Sequence, residues 1–258
     1  MFENTFKVPI TILQSSQAKD KTTAQFVFAN VLENKKKCII TYFKIAKAMS
    51  EIGIRELLNV QRSFYDYVYL PLLLLSWSFE RLLKCLLNLI VINDKGEINP
   101  VPYPETKEGH NLELLVEKLL LKIADEKYSS LFVSVKQEID VLKGNKALNT
   151  IIRALSDFGM GARYYYVDII LKGTSKHRSP SNLWDNIENM IHFITGKGSP
   201  PAGSEQLEKE MKKLTIEPLQ EFRRILIKLI DLVGKKKFSD FYKIDTSITY
   251  VFDFNLNL

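Results

Sequence analysis

The chain is poor in the residues that build disulfides and metal centres. Its 258 residues include only two cysteines and three histidines. Cys38 and Cys85 stand alone in apolar helical patterns, which predicts small buried side chains and excludes a disulfide framework. The histidines lie in three separate segments, so a metal site built on them is not expected. These features, and a start without the pattern of a secretory signal, favour a cytoplasmic location.

Motifs of several large enzyme classes are also absent. The sequence has no Gly-x-x-x-x-Gly-Lys-Ser/Thr loop, no Gly-x-Gly-x-x-Gly, no His-Glu-x-x-His and no Gly-x-Ser-x-Gly. P-loop nucleotide hydrolases, dinucleotide-binding oxidoreductases, zinc proteases and serine hydrolases are therefore not expected. No cofactor is predicted, and whether the chain is an enzyme stays open at this point.

No uncharged apolar run is long enough to predict a membrane helix. The most apolar stretch, Val68 to Ile92, contains Glu80, Arg81 and Lys84 near its middle. Each such charge costs about 2.5 to 3.5 kcal/mol at the centre of a bilayer. We expect this stretch to be the central helix of a bundle, without a membrane partner.

What the chain does contain is helical periodicity. Hydrophobic residues form 46% of it and charged residues 26%, proportions that argue against extensive disorder. Apolar residues recur at helical spacing, so we predict an all-α fold, an up-and-down helical bundle with additional helices. Weak alternation at Thr5 to Leu13 and Ser247 to Phe254 predicts a short β pairing of the terminal segments. Predicted helices cover about 22–51, 71–92, 112–124, 127–142, 148–157, 162–171, 181–194 and 206–233.

Glycines mark the expected interruptions. Gly53 is expected to separate the first helix from a short helical piece, and Gly159 and Gly161 predict a kink or close packing against another helix. The stretch 196–204, dense in Gly, Pro and Ser, predicts a linker. It divides a helical domain (1–195) from a C-terminal helix and tail (205–258), which we expect to pack on the same domain.

The formal net charge is +6, with lysine runs at 35–37, 212–213 and 235–237. A basic excess is compatible with a polyanionic partner, because Lys and Arg contacts with phosphate drive non-specific nucleic-acid binding. The alternative is that each run is a solvated surface.

Two polar groups interrupt the apolar pattern in the central region. Glu80 and Lys84 lie four residues apart, as an ion pair on one helix face would. His110 and Asn111 begin a second helix, where free backbone N–H groups and the helix dipole favour an anion. The alternatives are an ordinary surface pair for Glu80 and Lys84, and a helix cap for Asn111.

A third candidate group follows the glycine pair. The segment Arg163-Tyr-Tyr-Tyr-Val-Asp168 combines aromatic rings with charges, and Arg153 and Asp157 precede it one i,i+4 step apart. Arg163 and Tyr166 suit stacking on a base, and Asp168 suits accepting a hydrogen bond from a base edge or ribose. The alternative is that the tyrosines fill the core and form hydrogen bonds there, which we favour for Tyr165.

The segments Phe79-Glu-Arg-Leu-Leu-Lys-Cys-Leu-Leu and Gly109-His-Asn-Leu-Glu-Leu-Leu together resemble the HEPN superfamily of helical proteins, over Phe64 to Lys172. The resemblance implies a bundle of four to five helices, frequent homodimers, and either nucleotide binding beside a nucleotidyltransferase-like partner or metal-independent RNA cleavage. The matched positions are Glu80, Lys84, Gly109 and His110. The family's ribonucleases carry Arg four to six residues before His, and none of the three histidines here has an Arg at that distance.

Three hypotheses follow. The first is a HEPN-like module that binds a nucleotide or RNA without catalysis, as part of a prokaryotic toxin–antitoxin or defence system. The second is a helical scaffold or dimerisation protein without a small ligand. The third is a ribonuclease with a non-standard site that uses His110 or His177 as general acid or base, for which the sequence identifies no partner.

Overall fold

A computed structural model of the chain describes residues 21–59, 68–91, 107–195 and 205–237. Within these ranges the protein is helical and has no β-strand, which confirms the predicted all-α bundle. The predicted strands, Thr5 to Leu13 and Ser247 to Phe254, and the predicted linker lie outside the described residues. The α-helices of these ranges are α1 (Lys21–Asn59), α2 (Tyr69–Val91), α3 (Leu112–Ala124), α4 (Glu126–Ser129), α5 (Lys136–Gly144), α6 (Lys146–Met160), α7 (Tyr165–Lys172), α8 (Pro180–Thr195) and α9 (Glu205–Lys237).

Helix α2 lies at the centre of the packing. Pro71 sits in its first turn, where a backbone N–H is not needed, and leucines follow on almost every face. The helix packs against α3, α6, α8 and α9. Such all-round burial is expected of a core helix. No helix in the described part of the chain is long and apolar enough to cross a membrane.

The chain divides into two compact units, Met1–Ile39 and Ile40–Leu258, and helices α2 to α9 belong to the second. Within the second unit, α1 continues through Gly53, where the sequence predicted a break. A Cβ at Gly53 would lie 2.9 Å from Leu75 Cγ and 3.2 Å from Leu74 Cβ. The glycine therefore allows α2 to approach α1 closely and does not end the helix.

The prediction that both cysteines are buried is correct for Cys85 and wrong for Cys38, which is exposed. Cys38 precedes the buried Ile40 by two residues, about 200° around the helix, so the two side chains point in nearly opposite directions. Burial raises the pKa of the Cys85 thiol to about 12. A thiol with that pKa stays protonated at neutral pH, as expected of a buried apolar side chain.

The single helix predicted over 127–142 is interrupted. Helix α4 ends at Ser129, a 3-10 turn covers Val133–Val135, and α5 begins at Lys136. Phe132 is buried while Val133 is exposed, so the apolar residues here do not share one helical face. Two further 3-10 turns, Lys107–His110 and Ala162–Tyr164, introduce α3 and α7.

Candidate functional site

Glu80 lies inside the bundle on α2. Its neighbours Phe79, Leu82 and Leu83 are fully buried, and Glu80 itself is only 8% exposed. A carboxylate removed from water to this extent is costly unless it is paired. Here Lys84 Nζ donates to Oε1 at 2.6 Å, and His110 Nδ1 lies 2.7 Å from Oε2. Both oxygens of Glu80 are thus engaged by polar groups.

The position of His110 is fixed by the start of α3. His110 ends the 3-10 turn Lys107–His110, and Asn111 caps the following helix by accepting the Leu114 N–H at 3.0 Å. Ser156 of α6 donates to Asn111 Oδ1 at 2.9 Å and accepts the Leu112 N–H at 2.9 Å. The geometry of Asn111 is that of a helix cap. The expectation that free backbone donors begin α3 is wrong for Leu112 and Leu114, because side chains already satisfy them.

The contact with Glu80 orients the imidazole of His110. Because Nδ1 faces the carboxylate, Nε2 is the ring nitrogen left for other chemistry, and the side chain is 38% exposed. In the neutral form with the proton on Nδ1, Nε2 accepts a hydrogen bond or a proton. In the protonated form it donates to an anion. The sequence identified no partner for His110, and the structure supplies one 30 residues away.

Arg81, next to Glu80, turns toward α1. Its Nη1 lies 3.2 Å from Met49 Sδ, and its guanidinium carbon lies 5.6 Å from the centre of the Tyr42 ring. Burial raises the pKa of the Tyr42 hydroxyl, and Glu80 acts in the same direction against the opposing charge of Arg81. Tyr42 therefore lies within electrostatic range of Glu80. Sequence inspection missed this residue because no local pattern links α1 to α2.

Arg153 is placed on the surface. Its Nε donates to Glu113 Oε1 at 3.0 Å, across from α6 to α3. Partial burial raises the pKa of the nearby Asp157 carboxyl, and Glu113 adds to this effect while Arg153 and Arg178 oppose it. The exposed pair between Arg153 and Glu113 accounts for Arg153 without a ligand.

The segment from Arg163 to Asp168 forms a separate polar group. The Arg163 guanidinium stacks over the Tyr164 ring at 4.7 Å, and its Nε is buried without a hydrogen-bond partner. Tyr166 packs edge-on against Tyr69 and Tyr165. Asp168 accepts from Lys172 at 2.7 Å and from Ser175 at 3.2 Å. The hydrogen bond from Lys172 lowers the pKa of the Asp168 carboxyl.

The C-terminal end of α6 adjoins both candidate groups, the one around Glu80 and the segment from Arg163 to Asp168. A Cβ at Gly159 would lie 3.3 Å from the backbone oxygen of His110, and a Cβ at Gly161 would overlap the ring of His177. Tyr69 also bridges this region, since its hydroxyl donates to the backbone oxygen of Arg163 at 3.0 Å. The described contacts join Glu80, Lys84 and His110 to one another. They give the side chains of Arg163 and Asp168 other neighbours.

The structure also contains a groove that lies apart from the predicted site residues. A groove of about 510 Å³ between the start of α6 and α9 contains none of them, and its lining includes Asn145, Pro218 and Arg224. Among the described residues, no group of three or more His, Cys, Asp or Glu side chains is placed to hold a metal ion.

Comparison of the chain with protein-family models, with curated proteins and with solved structures finds no match.

Proposed function

We propose that this chain is a HEPN-like helical module that binds a nucleotide or RNA through Glu80, Lys84 and His110. The observation that carries the proposal is the hydrogen bond between Glu80 and His110, which joins the two segments on which the resemblance rests. A buried carboxylate that holds an ammonium group and a protonated imidazole presents two donors to a phosphate without reorganisation. This arrangement favours binding of a phosphate-bearing ligand.

The side chains of Lys84 and His110 are partly accessible to solvent. Lys84 is 19% exposed at its side chain and His110 is 38% exposed, so both reach solvent from a buried anchor. The backbone donors of Leu112 and Leu114 are occupied. Recognition of the phosphate therefore rests on side chains, and we expect single substitutions to remove it.

The test measures the thermal unfolding midpoint of the purified protein with a panel of nucleotides and short RNAs. A ligand at one hundred times its Kd stabilises the folded state by about 2.7 kcal/mol, which raises the midpoint by about 5 to 10 °C in a domain of this size. We expect a shift with at least one ligand, and its loss in His110→Ala and Lys84→Gln. Lys213→Gln is the matched control, because Lys213 forms an exposed i,i+4 pair with Glu217. Arg163→Ala tests the second polar group.

A second candidate function is RNA cleavage, favoured by the same hydrogen bond, because a carboxylate-oriented imidazole suits a general acid or base. Labelled RNA recovered from the samples distinguishes the two. Intact RNA with a midpoint shift supports binding alone, and fragments that disappear in His110→Ala support cleavage.

If no ligand shifts the midpoint, the proposal is wrong and the scaffold hypothesis takes its place. That hypothesis draws on α7, which has no buried side chain and carries the exposed Ile170 and Leu171.

A further inference from the structure

One stripe of α2 reaches the surface although the helix is otherwise a core element. Trp77, Arg81, Lys84 and Asn88 are exposed or half-buried, while the residues between them are buried. Their spacing of three and four residues places them on one helix face. Trp77 is 38% exposed. Tryptophan is a large side chain that proteins mostly bury, so its exposure beside two cations points to a ligand.

An aromatic ring from α1 flanks the same stripe. Tyr42 is 36% exposed, and Arg81 lies over its ring. Among the described residues Arg81 makes no ion pair with a carboxylate, and its polar neighbours are Met49 and Tyr42. The charge of Arg81 is thus available to an anion. Glu80 holds both Lys84 of this stripe and His110 of the turn before α3.

We infer that this stripe binds a single strand of nucleic acid at least two nucleotides long, with bases stacked on Trp77 and Tyr42 and phosphates beside Arg81 and Lys84. The inference rests on the proposed function and makes the ligand a strand in place of a mononucleotide. The seven steps along the helix from Trp77 to Lys84 span about 10 Å. Two exposed aromatic rings beside the cations of Arg81 and Lys84 match a chain of bases and phosphates, and a mononucleotide has only one base to stack.

The tryptophan content of the sequence allows base stacking on Trp77 to be measured by fluorescence. Trp77 and Trp184 are the only tryptophans, and Trp184 is buried with its indole N–H donated to Glu188 at 3.0 Å. A base that stacks on Trp77 quenches its fluorescence and leaves that of Trp184 unchanged. We expect oligouridine to quench the wild-type protein and to leave Trp77→Phe unquenched.

The affinity experiment compares uridine monophosphate with labelled oligouridines of two, six and twelve nucleotides and with oligothymidines of the same lengths. We expect the twelve-nucleotide strand to bind more tightly than the monophosphate. Trp77→Ala should weaken binding of that strand about fivefold or more, as loss of a stacking platform does, and should weaken binding of the monophosphate less, because its single base can stack on Tyr42 instead. Phe193→Ala is the matched control, because Phe193 is an exposed aromatic residue on α8. The oligothymidine series distinguishes a preference for RNA from recognition of either strand.

Two outcomes overturn the inference and are distinguishable. If the monophosphate binds, but strand length and Trp77→Ala have no effect, the stripe is not a strand site and the proposed function stands. If neither the monophosphate nor any strand binds the wild-type protein, the inference is wrong, and the proposed function is wrong as well if no ligand of the nucleotide and RNA panel shifts the unfolding midpoint.

Discussion

Glu80, Glu138 and Glu188 are carboxylates that the fold removes almost completely from water, and each has a polar partner. Glu80 is held by Lys84 and His110, Glu188 accepts from Trp184, and Glu138 of α5 accepts from Lys228 of α9 at 2.5 Å. A buried carboxylate without such partners is unfavourable by several kcal/mol. Glu80 and Glu138 therefore depend on other elements for a partner, whereas Glu188 is paired within its own helix α8.

Glu138 should make the stability of the protein depend on pH. The hydrogen bond from Lys228 holds the pKa of Glu138 below its ordinary value of 4.5, and the charges of Lys228 and Arg224 act in the same direction. A lowered carboxyl pKa contributes stability above the ordinary value, and that contribution is lost as the pH falls through the lowered one. We expect Glu138→Gln to lower the free energy of unfolding at pH 7 by about 1 kcal/mol. Urea unfolding from pH 7 to pH 3 should show the two proteins converging.

The matched control is Glu217→Gln, because Glu217 lies 3.7 Å from Lys213 in a pair with both side chains well exposed. We expect this substitution to change stability very little at any pH. A constant difference between wild type and Glu138→Gln over the whole range would contradict the assignment, since the loss would then not depend on ionisation.

Sequence spacing was sufficient for one contact of the candidate site and insufficient for the other. The interval between Glu80 and Lys84 predicts their i,i+4 pair, which the structure contains. The interval between Glu80 and His110 predicts nothing, because it crosses a connection whose path is not encoded by helical periodicity. The detectable signal was a glutamate within an apolar run, and such a residue requires a partner.

At the scale of elements, α2 and α6 approach closely where a serine meets a glycine. Gly159 lies within α6, and a Cβ there would be 2.5 Å from Ser76 Oγ and 3.3 Å from the backbone oxygen of His110. The missing side chain makes room for α2 and for the turn that precedes α3. Gly161 ends the helix, since its N–H is bonded to the Asp157 oxygen and α6 stops at Met160. Sequence analysis predicted a kink or close packing here, and Gly159 shows the close packing.

Gly159→Ala should destabilise the protein although alanine is the better helix former. Helix propensity alone would favour alanine by about 1 kcal/mol. The added methyl group must displace Ser76 or the turn at His110, and overpacking of this kind costs about 1 to 3 kcal/mol. We expect a lower midpoint of urea unfolding for Gly159→Ala, and partial recovery when Ser76→Ala is added, because that change removes the nearest atom.

Gly144→Ala is the corresponding control at the end of α5, where a Cβ would meet no atom within 4 Å. This change should be neutral or stabilising. Equal effects of the two substitutions would show that backbone preference decides the outcome at Gly159, and that the contact with α2 does not.

Helix boundaries were predicted less well than the helices themselves. The sequence predicted continuity from Lys127 to Leu142, where the structure has α4, a turn and α5. It predicted a break at Gly53, where α1 continues. In both places the outcome depends on a tertiary contact: burial of Phe132 in one and the approach of Leu75 in the other. Local propensity contains neither contact.

At the scale of the whole molecule, α9 contributes to the same core as the helices that precede the Gly/Pro/Ser stretch. It packs against α2, α6 and α8, and its Phe222 ring lies 4.8 Å from that of Phe79. Arg223 of α9 also bonds Ser50 and Glu51 of α1. Among the described side chains of α9, seven are fully buried: Leu219, Phe222, Ile225, Leu226, Leu229, Ile230 and Val233.

This packing predicts that cutting the chain between α8 and α9 will not release α9. Burial of a large apolar side chain contributes about 1.5 to 3 kcal/mol, so these seven contribute about 10 to 20 kcal/mol as an upper estimate. Association of two separate pieces costs about 4 to 15 kcal/mol in lost freedom. A specific protease site inserted within 196–204 should therefore yield two fragments that co-elute in gel filtration at micromolar concentration.

Phe222→Ala tests the energetic basis of that retention. Removal of a buried phenylalanine costs about 3 to 5 kcal/mol, a substantial part of what the buried face of α9 contributes to holding the fragments together. We therefore expect cleaved Phe222→Ala to separate into its two pieces under conditions where the cleaved wild type does not. Cleaved Phe193→Ala should behave like wild type, because Phe193 is largely exposed. Separation of the wild-type fragments would mean that α9 depends on its covalent connection, and that its buried face alone does not hold it in the bundle.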